Sequence, residues 1–241
     1  MKILEAIVVS FQFLTRFYLP IKIDWDEKNI KYSLLFFPLV GAAIGAVLFG
    51  VNYLTAYTKI NPALTILFVW IIITGGLHLD GVSDTVDGLS ARADRERTLK
   101  IMDDSHIGAF GVIAIVMLIL FKYDAISKLV CKNPYAIFAS PIIARCIAGF
   151  FLTFFKTAKA TGLASYFHQS SSKVITTISV LITIAIIFYF NQWWLMRFLY
   201  TFLAITILTI PVYRKLNGLT GDVYGSIVEL SEIIFMMLCI I

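Results

Sequence analysis

Long apolar stretches recur along the sequence, near positions 33–56, 63–79, 107–122, 134–155, 174–190, 198–212 and 222–241. A helix rises about 1.5 Å per residue, so a run of roughly 17 to 25 apolar residues is long enough to cross the hydrocarbon core of a bilayer. Turn residues or charges punctuate most of these runs. Only the short "NQWWLMR" separates the fifth from the sixth, and its tryptophans suit a membrane–water interface. The sequence therefore predicts an all-α, polytopic helical bundle with six or seven transmembrane helices. Its composition agrees, because 59% hydrophobic residues, 15% charged residues and a mean hydropathy of +0.87 lie far from a soluble domain.

Residues 1–19 are apolar but carry Glu5, Gln12 and Arg16, a pattern for an interfacial or partly inserted helix. No small-residue cleavage site follows, so a signal peptide is not expected. Cys131, Cys146 and Cys239 are too few and too scattered for a zinc site or a disulfide framework. With no linker, repeat or low-complexity tail, positions 1–241 read as a single integral-membrane domain.

Seven spans would place fourteen of the twenty Lys and Arg on one face and five, Lys122 among them, on the other, leaving Arg145 inside a span. That asymmetry assigns the richer face to the cytoplasm and puts residues 80–104 on it.

On that face lies "GGLHLDGVSDTVDGLSAR", residues 75 to 92, directly after an apolar run. Asp80, Asp84 and Asp87 stand at i, i+4 and i+7, which confines their carboxylates to one stripe of a helix. Three such groups repel one another unless a cation intervenes, and a hard divalent ion with oxygen ligands does so, Mg²⁺ being usual in phosphate chemistry. Glycines 75, 76, 81 and 88 leave the backbone open to close approach. An amphipathic helix near 93–104 then returns Asp103 and Asp104 toward the membrane. Arg92, next to the aspartate segment, is a candidate for phosphate oxygens, whereas Arg95, Arg97 and Lys100 also fit cytoplasmic anchors paired with Asp94 and Glu96.

In the final helix Asp222, Ser226, Glu229 and Glu232 share one face, with both glutamates at membrane depth. An ionisable group there needs a partner or water, and Arg145 is the natural cation, either as a structural ion pair or in substrate binding. His78 points away from the aspartate stripe in an unbroken helix, although Gly81 could break it. The candidate metal ligands are thus Asp80, Asp84, Asp87, Asp103 and Asp104. Asp84, Asp87 and Asp104 are the catalytic candidates, and His78, Arg92, Arg145, Asp222, Glu229 and Glu232 the substrate-binding ones. Cytoplasmic aspartates, Mg²⁺ and arginines at a membrane interface suggest transfer of a phosphate-containing group.

"GGLHLDGVSDTVDGL" followed by "RERTLKIMDDSHIGAFG" resembles the signature of the cobalamin-5′-phosphate synthase, or adenosylcobinamide-GDP ribazoletransferase, family. "FQFLTRFYLP", "FFPLVGAAIGAV", "ASPIIAR" and "GLTGDVYGSIVELSEIIF" resemble it in the same order, whereas 156–215 is family-like only in hydrophobicity. The resemblance implies a multi-pass enzyme of the bacterial or archaeal inner membrane. It would join adenosylcobinamide-GDP to α-ribazole or its 5′-phosphate, with Mg²⁺, giving adenosylcobalamin or its 5′-phosphate and GMP. Its partners would be these substrates and the lipid bilayer, with no nucleic acid; a homo-oligomer and an association with other corrinoid-pathway enzymes both stay open.

"DTVDGLSAR", Asp84 to Arg92, is also similar to the opening half of the CDP-alcohol phosphotransferase pattern, but the closing half is absent and Asp103–Asp104 stands in its place. The rival readings are a phospholipid- or prenyl-transferring membrane enzyme and an ion-coupled transporter built on Glu229, Glu232 and Arg145.

Overall fold

A computed structural model describes residues 2–16 and 21–241, and every named element among them is helical. Part of the "FQFLTRFYLP" stretch, residues 17–20, lies outside the described residues. In chain order the helices are α1 (Lys2–Leu14), α2 (Glu27–Ser33), α3 (Phe37–Thr55), α4 (Pro62–Thr74), α5 (Leu77–Ser90), α6 (Arg95–Met102), α7 (Ala109–Lys132), α8 (Pro134–Phe154), α9 (Leu163–Ser170), α10 (Lys173–Phe190), α11 (Gln192–Leu216) and α12 (Gly221–Leu238).

Among the described residues, five helical segments are long and apolar enough to cross a membrane, and a sixth is added if α4 and α5 form one broken span. The fifth and sixth runs are separate helices. α10 stops at Asn191, whose side chain accepts a hydrogen bond from the Trp193 N–H and so caps α11. α12, with Asp222, Glu229 and Glu232, is not one of the five; it packs among other helices, and twelve of its eighteen residues are buried. α7 departs from expectation. It continues ten residues past the anticipated end at 122, so Lys122 lies within the helix and is only 3% exposed.

Small residues set the closest helix contacts, as expected where packing and not hydrophobic expulsion drives association in lipid. α3 lies so near α8 that a Cβ on Gly41 would stand 2.4 Å from the Pro141 carbonyl oxygen, and one on Gly45 2.2 Å from that of Phe138. α12 packs between α5 and α8. At its crossing with α5, Gly81 faces the Asp222 backbone and Gly225 the His78 backbone, while Ser226 donates to the Gly81 carbonyl at 3.1 Å.

Two features bring α5 to the head of α12. Gly75 and Gly76 both adopt left-handed conformations, φ +64° and +67°, which side chains rarely tolerate, and α5 leaves α4 at 85°. On the other side, residues 156–158 pair with Leu219: its N–H donates to the Lys156 carbonyl, and its own carbonyl accepts from Ala158 N–H. Arg95 fastens this corner, its Nε donating to the Leu216 carbonyl at 2.7 Å and its Nη2 to that of Ala158 at 2.6 Å.

Candidate active site

Within "GGLHLDGVSDTVDGLS" the three aspartates fall on the exposed and half-buried face of α5. Asp80 is exposed and Asp84 half-buried, while Gly81, Val82, Ser83 and Thr85 turn into the bundle. Asp84 is the hub of the acidic cluster. Asp80 and Asp87 on its own helix, Asp222 at the start of α12 and Asp103 at the end of α6 all lie near enough to act on it electrostatically. Carboxylates far apart in sequence thus lie within electrostatic reach of one carboxyl group. Asp222 is steadied by the Thr220 hydroxyl, which donates to its Oδ2 at 3.1 Å.

Asp87 has a further occupation. Its Oδ2 accepts from the Gly108 N–H and its Oδ1 from the Gly111 N–H, each at 2.8 Å, so it caps the first turn of α7 from a neighbouring helix. Gly108 has no side chain to cap α7 itself, and the free N–H groups of a first turn favour an anion. A Cβ on either glycine would stand within 2.4 Å of a carboxylate oxygen of Asp87, so a side chain at either position would displace that carboxylate.

The adjacent pair Asp103 and Asp104 splits. Asp103 faces the cluster and forms an ion pair with Lys159. Asp104 is exposed and engages His106, which offers its backbone N–H at 3.0 Å and ring Nδ1 at 2.6 Å; these hydrogen bonds hold its carboxyl below the usual carboxylate range. Arg92 is exposed just beyond α5 in a left-handed conformation, φ +48°. Arg95 belongs to the corner described above, donating to carbonyls and not pairing with an acid.

Arg145, Glu229 and Glu232 do come together, but in a deeper layer with a fourth member, Lys122. Arg145 pairs with Glu232, and Lys122 bridges Glu229, at 2.8 Å, and Glu232. All four are at most 3% exposed, and the Lys122 ammonium also lies 4.1 Å from the Trp70 ring centroid. Two cations balance two anions, which answers the cost of each charge at that depth. His78 is buried between this network and the acidic cluster, within electrostatic reach of Arg145 and Glu232.

The sequence did not single out Lys122 or Lys159 for this region, and Arg95, a candidate for phosphate or for pairing with a neighbouring acid, holds backbone carbonyls instead. Lys122 carried a signal, a lone cation in "LILFKYDAI" opposite two intramembrane glutamates; Lys159 carried none beyond its charge.

The family model described as Cobalamin-5-phosphate synthase matches residues 6–240. The chain belongs to that family. Relatives bearing the name adenosylcobinamide-GDP ribazoletransferase are similar over almost their full lengths. The one from Clostridium botulinum (strain 657 / Type Ba4) is 35% identical, covering 98% of this chain and 97% of the relative. That from Treponema denticola is 36% identical with 95% of each covered, and that from Geotalea daltonii 33% identical with 97% and 96% covered. No solved structure matches the chain. As a member of the cobalamin-5-phosphate synthase family it is a transferase of cobalamin synthesis.

Among the described residues, no group of three His, Cys, Asp or Glu side chains is disposed to hold a metal ion. The donors around Asp84 are nevertheless all carboxylate oxygens, the chemistry of a hard cation, and Mg²⁺ is commonly held by one or two carboxylates with waters and substrate phosphates. In donor type the residues fit Mg²⁺ with a diphosphate, and not a metal caged by protein alone.

Proposed function

We propose that this family member joins adenosylcobinamide-GDP to α-ribazole or its 5′-phosphate on the cytoplasmic face of the inner membrane. The ribazole hydroxyl oxygen forms a bond to the phosphorus attached to cobinamide, the bond from that phosphorus to the oxygen of GMP breaks, and the hydroxyl proton passes to a carboxylate. The observation that carries this reading is that Asp80 of α5 and Asp222 of α12 line one opening in the bundle, with Asp84 and Asp103 within electrostatic reach of each other beside it. Family membership supplies the reaction, and the geometry supports the place.

Asp80 and Asp222 would hold Mg²⁺ from opposite helices; bound there, the ion neutralises the diphosphate and the charge developing on departing GMP. Asp84, at the centre of the carboxylates, takes the proton. Lys159, beside Asp103, is the cation placed to meet phosphate oxygens, and exposed Arg92 just beyond α5 would be the second. Asp87 orients the α7 terminus against α5, and Asp104 stands outside the reacting groups.

The cytoplasmic assignment rests on charge. With Lys122 buried, the opposite face keeps only Lys59, Lys128, Lys132 and Arg197 against fourteen cations on the site's face.

The test is purified protein with adenosylcobinamide-GDP, α-ribazole 5′-phosphate and Mg²⁺, following GMP and the corrinoid product together. Both should form at equal rates, stop on adding EDTA and resume with excess Mg²⁺. Turnover that persists in EDTA, or GMP formed without the corrinoid product, overturns the scheme.

A further inference from the structure

Between the acidic cluster and the bundle core lies a cavity of about 220 Å³ whose lining changes character along its extent. Asp80 and Asp222 line it, and so do Phe13, Phe37 and Leu152. The two phenylalanines belong to a stacked group: Phe13 lies 4.1 Å from Phe167 and 5.9 Å from Phe37, centroid to centroid, with Trp25 edge-on to Phe13 at 6.3 Å. This wall is apolar and braced by neighbouring rings, so it suits a flat aromatic ligand.

His78 also lines the cavity, and it is 5% exposed with no hydrogen-bond partner for Nδ1. A buried polar nitrogen left unpaired is unfavourable, and a ligand offering a partner would relieve that. An apolar slot, a buried nitrogen without a partner and two carboxylates therefore border one space.

We propose, building on the ribazole-transfer reading, that this cavity holds the incoming nucleoside: its fused-ring base lies against Phe13, Phe37 and Leu152, its ribose meets His78 Nδ1, and its reactive hydroxyl faces Asp80 and Asp222. The guanine of the other substrate is the wrong occupant. Its edge carries several donors and acceptors that the phenylalanine and leucine wall would leave unpaired, whereas a fused-ring base with carbon edges buries them without that loss. The cavity thus sets a preference for apolar bases.

Ala164, half-buried on α9, lines the same cavity, and Ala164→Phe fills it from the surface side. In detergent-purified full-length protein this variant should raise both the KM and the calorimetric Kd for α-ribazole about tenfold or more, leaving the KM for adenosylcobinamide-GDP unchanged. His78→Phe, a second variant should the first fail to fold, should weaken α-ribazole in the same way, and His78→Asn should recover part of the loss. Wild-type KM and Kd for α-ribazole in both disruptive variants, in an enzyme that still releases GMP, would overturn the cavity assignment alone. A rise confined to the KM for adenosylcobinamide-GDP would give the cavity to guanine and overturn it too. If the wild-type protein neither binds α-ribazole nor releases GMP, the ribazole-transfer reading itself fails and the assignment with it.

Discussion

Asp84 and Asp87 are one turn apart on α5, yet they are held so differently that the same substitution should have opposite signatures. Asp84 has no role in the fold that its neighbours would miss, and it sits among carboxylates from three parts of the chain. Asp84→Asn removes the proton acceptor, so GMP release should fall by at least about 10²-fold while the thermal midpoint in detergent stays unchanged or rises as repulsion is relieved. Asp87 gives both oxygens to the first turn of α7. Asp87→Asn keeps one acceptor but loses the charge and the second, and should cost about 1 kcal/mol of stability, as loss of a helix cap does. Its activity should fall with the misplacement of α7, and thermal unfolding followed beside turnover separates the two cases. Equal stability losses in both variants would contradict the distinction.

At the scale of helices, the site depends on how closely α5 approaches α12. A Cβ at Gly81 would come within 2.7 Å of the Asp222 carbonyl oxygen and 3.0 Å of its Cα, both backbone atoms that cannot swing aside. Gly81→Ala should therefore push the head of α12 away and move Asp222 relative to Asp80 and Asp84. Displacements near 1 Å can cost about 10²-fold in rate, so turnover should drop at least tenfold in protein that still inserts and purifies as wild type. An active Gly81→Ala enzyme would show that the α5–α12 spacing does not set the reacting geometry. The double left-handed turn at Gly75–Gly76 acts on the same quantity from the other end, since it aims α5 at α12.

Across the whole molecule, the network of Lys122, Arg145, Glu229 and Glu232 ties α7, α8 and α12 together behind the site. Removing one partner of a buried pair leaves an uncompensated charge, typically at a cost of about 3–5 kcal/mol. Lys122→Met should accordingly lower the thermal midpoint sharply, and Lys122→Met with Glu229→Gln should recover much of it by restoring neutrality. A double variant no more stable than the single one would mean that Lys122 contributes by packing against Trp70 and not by charge. Glu232 accepts from both cations, so its loss should be the most damaging of the four. These glutamates and Arg145 thus belong to the frame that carries α12, not to the row of groups facing the substrate.

Apolar run length by itself determined that the chain builds a membrane helical bundle, because lipid leaves a long apolar backbone segment little alternative to satisfying its own hydrogen bonds. The i, i+4, i+7 spacing likewise put Asp80, Asp84 and Asp87 on one helix before any coordinates, and the pairing of Arg145 with a glutamate of α12 was legible from the rarity of buried charge. What local pattern could not reveal was which aspartates meet. Asp80, Asp103 and Asp222 approach one another only because two glycines bend the chain and a small-residue crossing seats α12 on α5. The division of labour between Asp84 and Asp87, and between Asp103 and Asp104, arose in the same way: adjacent positions of identical chemistry were told apart by what lay opposite them. Lys122 is the sharpest instance, a residue that ends an apolar run in sequence and sits inside the bundle in space, because partners on another helix made its burial affordable.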